Sequence, residues 1–181
     1  MDVLKKIFDN ESVMLNEKWI NSVWENINTF EGPQVIRKYS KYTVEMLSDA
    51  YDLFRDHGHE LNIHTHEKLV EAIHFYVEKL IIANLTYDKI LLYLNLKSSE
   101  EFWENVTSLV CPDSVEESLW RATYWINITD TRLNDEILNI KKGNEEQFYK
   151  ENSFWFLAFI VCLIQLWLDQ NSIWQYYSKI Y

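Results

Sequence analysis

Glycine and proline are nearly missing from this chain, with three and two copies in 181 residues. So few glycines cannot build a phosphate-cradling loop, and neither a GxGxxG nor a P-loop pattern occurs. They also leave few tight hairpin turns, which favours long helices joined by short links. Cysteine is equally scarce. Cys111 and Cys162 alone exclude a disulfide framework. Cys162, inside an apolar run, reads as a small buried hydrophobe. The serine elbow GxSxG and the zinc motif HExxH are absent. Basic charge is in deficit: 17 Lys and Arg face 28 Asp and Glu, a net charge of −11. That excludes general binding to nucleic acid or to an anionic membrane, both of which need a basic surface. No stretch alternates polar and apolar residues for long enough to make a strand. No repeat or low-complexity linker divides the chain. No basic-then-apolar signal segment opens it, so the expected location is the cytoplasm.

What is present is apolar and aromatic. Apolar residues make up 48% and aromatics 15%, with eight tryptophans. At this length the expectation is one domain, residues 1–181, burying about 70% of its unfolded-chain surface. The stretch Phe154–Leu168 (FWFLAFIVCLIQLWL) is apolar except for Gln165. Helical, it would be apolar on every face and must be surrounded. Its helix would be about 22 Å long, whereas a membrane span takes roughly 20 apolar residues. Glu151 and Asp169 flank it where a membrane anchor carries Lys or Arg. No membrane association is expected. The expected fold is all-α: a single globular bundle of about eight or nine helices around this buried hydrophobic helix near the C-terminus.

The remaining helices follow from 3.6-residue periodicity and capping residues. Asp2 caps a short helix to Asn10. Leu15, Trp19, Ile20, Val23, Trp24 and Ile27 mark a second, ended by Gly32-Pro33, and Pro33 suits the first turn of a third that runs to Asp56 with Gly58 as its stop. A fourth starts near Asn62–Thr65. Thr86 or Asp88 caps a short one. Ser98 with Glu101, Ser114 with Glu117 and Asn144 with Gln147 read as capping boxes. Asp130 is expected to open a helix that Gly143 closes, and Asn171 or Ser172 to cap the last.

Two groups of residues could carry function. All five histidines, His57, His59, His64, His66 and His74, fall within eighteen residues, interleaved with Glu60 and Glu67. Imidazole and carboxylate suit zinc, nickel or iron, but histidines two apart diverge on a helix. Glu71-x-x-His74 is half of a di-iron motif that needs a second copy. The preferred reading of this segment is a polar loop leading into a helix, with no cofactor. Residues 98–136 carry nine acids and two bases, a net of −7. They also hold Phe102, Trp103, Trp120, Tyr124 and Trp125, too many aromatics to share their helices' inner stripes. Trp120 and Tyr124 sit beside the stripe Val115–Leu119–Ala122–Ile126. Aromatic anchors ringed by carboxylates are one way to hold a basic protein. The candidate partner-binding residues are Glu100, Glu101, Trp103, Glu104, Asp113, Glu116, Glu117, Trp120 and Tyr124. The leading expectation is therefore a non-enzymatic acidic binding protein that neutralises a cationic protein, of immunity-protein or phage- or virus-borne inhibitor character, with no direct nucleic-acid contact. Two alternatives stand beside it: a metal-dependent enzyme using the His57–His74 cluster, and an acidic mimic of nucleic acid that blocks a DNA-binding enzyme.

Overall fold

The computed structural model describes residues 2–25 and 31–181. Among these residues it has ten helices and no strand. In chain order they are α1 (Val3–Leu15), α2 (Glu17–Glu25), α3 (Glu31–Asp56), α4 (Ile63–Ile82), α5 (Tyr87–Tyr93), α6 (Ser99–Leu109), α7 (Val115–Thr131), α8 (Leu133–Lys141), α9 (Glu145–Gln165) and α10 (Gln170–Ile180). The fold is all-α, as periodicity predicts. The first helix runs five residues beyond its expected end at Asn10, and the count exceeds eight or nine. The side chain of Trp24 and all of Ile27, both expected on the second inner stripe, lie outside the described residues.

The expected central rod is only partly right. The apolar run lies in α9 as far as Gln165, then leaves the helix. Phe154 is 52% and Trp167 74% exposed, so the run is not jacketed on every side. The more enclosed element is α4, with thirteen of its twenty residues buried against twelve of twenty-one in α9. Helix α3 packs along α4 and also meets α7, α7 packs on α9, and α1 and α10 cover another side of α4. Aromatic side chains join the two central helices. Tyr76 of α4 stacks on Phe156 of α9 at 5.7 Å, and Phe156 also meets Phe8 and Phe102.

A chain so poor in glycine must stop its helices another way. Asn84, Asn95 and Trp167 take the left-handed conformation just past α4, α5 and α9, at φ 64°, 57° and 67°. Each stop has the Schellman pattern, in which the next amide reaches back to a carbonyl five residues earlier: Leu85 N to Leu80 O at 2.8 Å, Leu96 N to Leu91 O at 2.9 Å and Leu168 N to Leu163 O at 3.0 Å. Leu85 and Leu168 then turn into the core. Asparagine tolerates this conformation because its short polar side chain bonds locally. Gly143 does the same after α8.

Caps at Asp2, Asn62, Thr86, Ser98 and Ser114 form as expected. Three others do not. Asn144 makes no side-chain cap bond, and Gln147 donates to Glu151 instead. Asp130 stays in the last turn of α7, where Ser40 holds its carboxylate at 2.8 Å. The last helix is capped by Asp169, not Asn171 or Ser172, through the Ser172 amide at 2.8 Å. The helices α9 and α10 meet at 98°. Among the described residues, no single helix is long and apolar enough to cross a membrane.

Candidate protein-binding groove

Helix α7 turns Ser118, Leu119, Ala122, Ile126 and Thr129 inward. Trp120 and Tyr124 lie one step round from that stripe and one turn apart. Their rings stack 5.6 Å apart at an interplanar angle of 12°, yet they remain 59% and 46% exposed. Burying a large aromatic ring is worth kilocalories, so two stacked rings left half in water form an apolar surface that the described residues leave open. The row continues edge to face: Tyr124 to Trp125 at 5.3 Å, then Trp125 to Phe154 of α9 at 5.7 Å.

Beside this row lies an open groove of 490 Å³ between α7 and α9. Leu157, Ala158, Val161 and Cys162 of α9 form its floor, and Leu109, the last residue of α6, and Cys111, in the link to α7, edge it. One end is polar. Arg121 pairs with Asp113 at 2.5 Å. Gln165, the single polar residue of the apolar run, donates to Asp113 at 3.3 Å and Ser118 at 3.0 Å and accepts from the Cys111 amide at 3.3 Å. It ties the segment 111–118 to α9. Cys111 is exposed at the edge, whereas burial pushes the Cys162 thiol up to about 12, against a smaller opposing pull from Arg121. Glu116 and Glu117, in the first turn of α7, are both exposed.

The nine expected partner-binding residues divide between two surfaces. Asp113, Trp120 and Tyr124 are at the α7/α9 groove, with Glu116 and Glu117 on the first turn of the same helix. Glu100, Trp103 and Glu104 line a separate hollow on α6 that also takes in Asp2 and Gln170. Two of the carboxylates are engaged within the chain: Asp113 as above, and Glu101, which accepts from the Lys97 amide at 2.8 Å. Phe154, Leu157 and Val161 were not among the expected site residues. Their positions within an almost wholly apolar run give no hint of which face stays open.

The histidines do not assemble into one site. His57 donates to Leu53 O at 2.7 Å, His59 lies edge-on to Phe54, and His64 is 3.7 Å from Glu67 on the surface. His66 bonds Leu166 O at 3.0 Å, and burial lowers its pKa against that bond. A five-histidine metal cluster is therefore ruled out by position. His74 alone is buried, between two carboxylates of which only one is near it in sequence. Its Nδ1 is 2.6 Å from Glu11 Oε1 of α1 and its Nε2 is 2.6 Å from Glu78 Oε1 one turn along α4. Burial depresses its pKa, but the hydrogen bonds and charges of Glu11 and Glu78 outweigh this and raise it to about 9. Glu71, the expected motif partner, faces Lys68 instead, at 3.4 Å. No protein-family model, characterised protein or solved structure matches the chain.

Proposed function

We propose that the protein is a non-enzymatic binding protein that neutralises a cationic protein, by seating an apolar helical or extended segment of it in the α7/α9 groove. The observation that carries this reading is the exposed Trp120–Tyr124 stack, continuous with a groove of apolar floor, on the helix whose first turn bears Glu116 and Glu117. The groove's volume also falls within the range of small-molecule pockets. Such ligands, however, are usually buried over about 70–90% of their surface, and rings exposed to this degree suit a larger partner. Interface cores favour tryptophan and tyrosine anchors with charge at the rim. At this groove the acids are Glu116 and Glu117, exposed on the first turn of α7, with Asp113 paired to Arg121 at the polar end. An immunity protein or a phage-borne inhibitor would act in this way, by occluding the basic surface of its target.

The test uses two synthetic amphipathic helices with the same leucine face, one with lysine and one with glutamate on the other side. The basic peptide is expected to bind and the acidic one not. Replacing Trp120 and Tyr124 together by Ala should weaken the basic peptide at least tenfold. Equal binding of both peptides, or an unchanged affinity in the double variant, would defeat the proposal.

A further inference from the structure

We propose that Glu11, His74 and Glu78 form a buried site for one divalent metal ion of the zinc type, a structural ion joining α1 to α4. His74 and Glu78 are one turn apart on the same face of α4, a spacing that places two ligands side by side. Glu11 enters from α1. One ligand atom from each residue lies within 4.8 Å of the other two. Two donors each about 2.1 Å from an ion stand at most about 4.2 Å apart, so the three side chains already lie near the spacing that a shared ion requires. Nitrogen with carboxylate oxygen is a donor set for zinc and its neighbours, not for calcium or magnesium.

Charge points the same way. Both carboxylates are buried, Glu11 completely. Even with the imidazole protonated, two negative charges face one positive. Aromatic rings surround the three: Tyr177 donates to Glu11 Oε1, Tyr181 stacks on the His74 ring at 3.8 Å, Phe75 meets that ring edge-on at 4.9 Å, and Tyr39 of α3 feels both carboxylates. An uncompensated buried charge is costly. A dication with a neutral imidazole balances the two carboxylates. A separate observation concerns Glu11 Oε2, which is buried and has no hydrogen-bond partner. A carboxylate with a bare buried oxygen beside an imidazole is half of a coordination shell.

The surroundings fit a ligand that must be held still. On the Nδ1 side, where Glu11 Oε2 is free, the Tyr177 hydroxyl is a further oxygen donor, itself fixed by Asn10 Nδ2 at 3.1 Å. With all three side chains buried, the ion stabilises the packing of α1 on α4 and is not presented to a substrate.

Protein purified without a histidine tag and stripped with chelator decides the question. Titration with Zn²⁺ is expected to show one tight equivalent and a raised Tm. Co²⁺ should give visible ligand-field bands and shift the ring protons of His74. Glu11→Gln and Glu78→Gln should each weaken Zn²⁺ at least tenfold, while His59→Ala with His64→Ala changes nothing. Absence of stoichiometric binding overturns the site. So does binding that survives Glu11→Gln and disappears with the surface histidines. Should either buried variant fail to fold, the His74 proton shifts in the unaltered protein decide alone: unshifted His74 resonances in the Co²⁺ form overturn it.

Discussion

At the scale of single residues, the chain's shortage of glycine has a local cost. Asparagine fills two of the left-handed helix stops described above, but Trp167 fills a third, at φ 67° and largely in water. A bulky side chain in that region strains the backbone by about 1–2 kcal/mol, and this ring recovers little by burial. Trp167→Asn is therefore expected to raise stability by about 1 kcal/mol, read as a higher urea midpoint with an unchanged slope. The two cysteines differ as sharply. Cys162 is buried with its thiol raised to about 12, and Cys111 is exposed at the groove edge. Thiolate is the reactive form, so iodoacetamide at neutral pH should label Cys111 and leave Cys162 intact in the native protein. The basic amphipathic peptide should protect Cys111 from labelling. Equal labelling with and without the peptide would place its binding elsewhere.

At the scale of elements, the sequence located helices well and their charged contacts poorly, for a physical reason. Periodicity and caps act within one turn, so Ser98, Ser114 and Asn62 could be recognised from neighbours alone. The Trp120–Tyr124 pair was legible for the same reason, since both lie off their own helix's inner stripe. The buried polar groups of α4 were not, because their partners come from distant elements: Glu11 lies 63 residues before His74. Lys79 is the clearest case. It is wholly buried, donating to Ser40 Oγ at 3.1 Å and Thr129 O at 3.2 Å. Burial lowers its pKa, with Glu136 and Asp130 opposing, and burial raises that of Glu136, with Lys79 opposing. Each group thus opposes the shift that burial imposes on the other. Lys79→Met should thus destabilise by about 3–5 kcal/mol, the range for stranding a buried partner charge. Adding Glu136→Gln, which keeps an acceptor for Asn152 Nδ2 at 2.7 Å, should restore most of that loss. Guanidinium unfolding of the single and double variants measures both, and a double variant no more stable than Lys79→Met would show that the two groups do not compensate each other.

At the scale of the whole molecule, the proposed function assigns the open groove and the uneven charge to different steps of association. A net charge of −11 draws in cations from a distance, an effect that decays over about 10 Å at 0.1 M salt. Apolar contact acts only after docking and governs how long a complex lasts. The two contributions should separate in kinetics. With the lysine-faced peptide, Glu116→Lys combined with Glu117→Lys should slow association several-fold at low salt and have little effect at high salt. Trp120→Ala should leave association nearly unchanged and speed dissociation at every salt concentration. Stopped-flow mixing read by tryptophan fluorescence in a Trp120-retaining background, with labelled peptide for the Trp120 variant, distinguishes these. If the charge reversals altered only dissociation, the acids of the first turn of α7 would be direct contacts in the complex, not a source of steering. The groove would then have to be redrawn to include the N-terminus of α7.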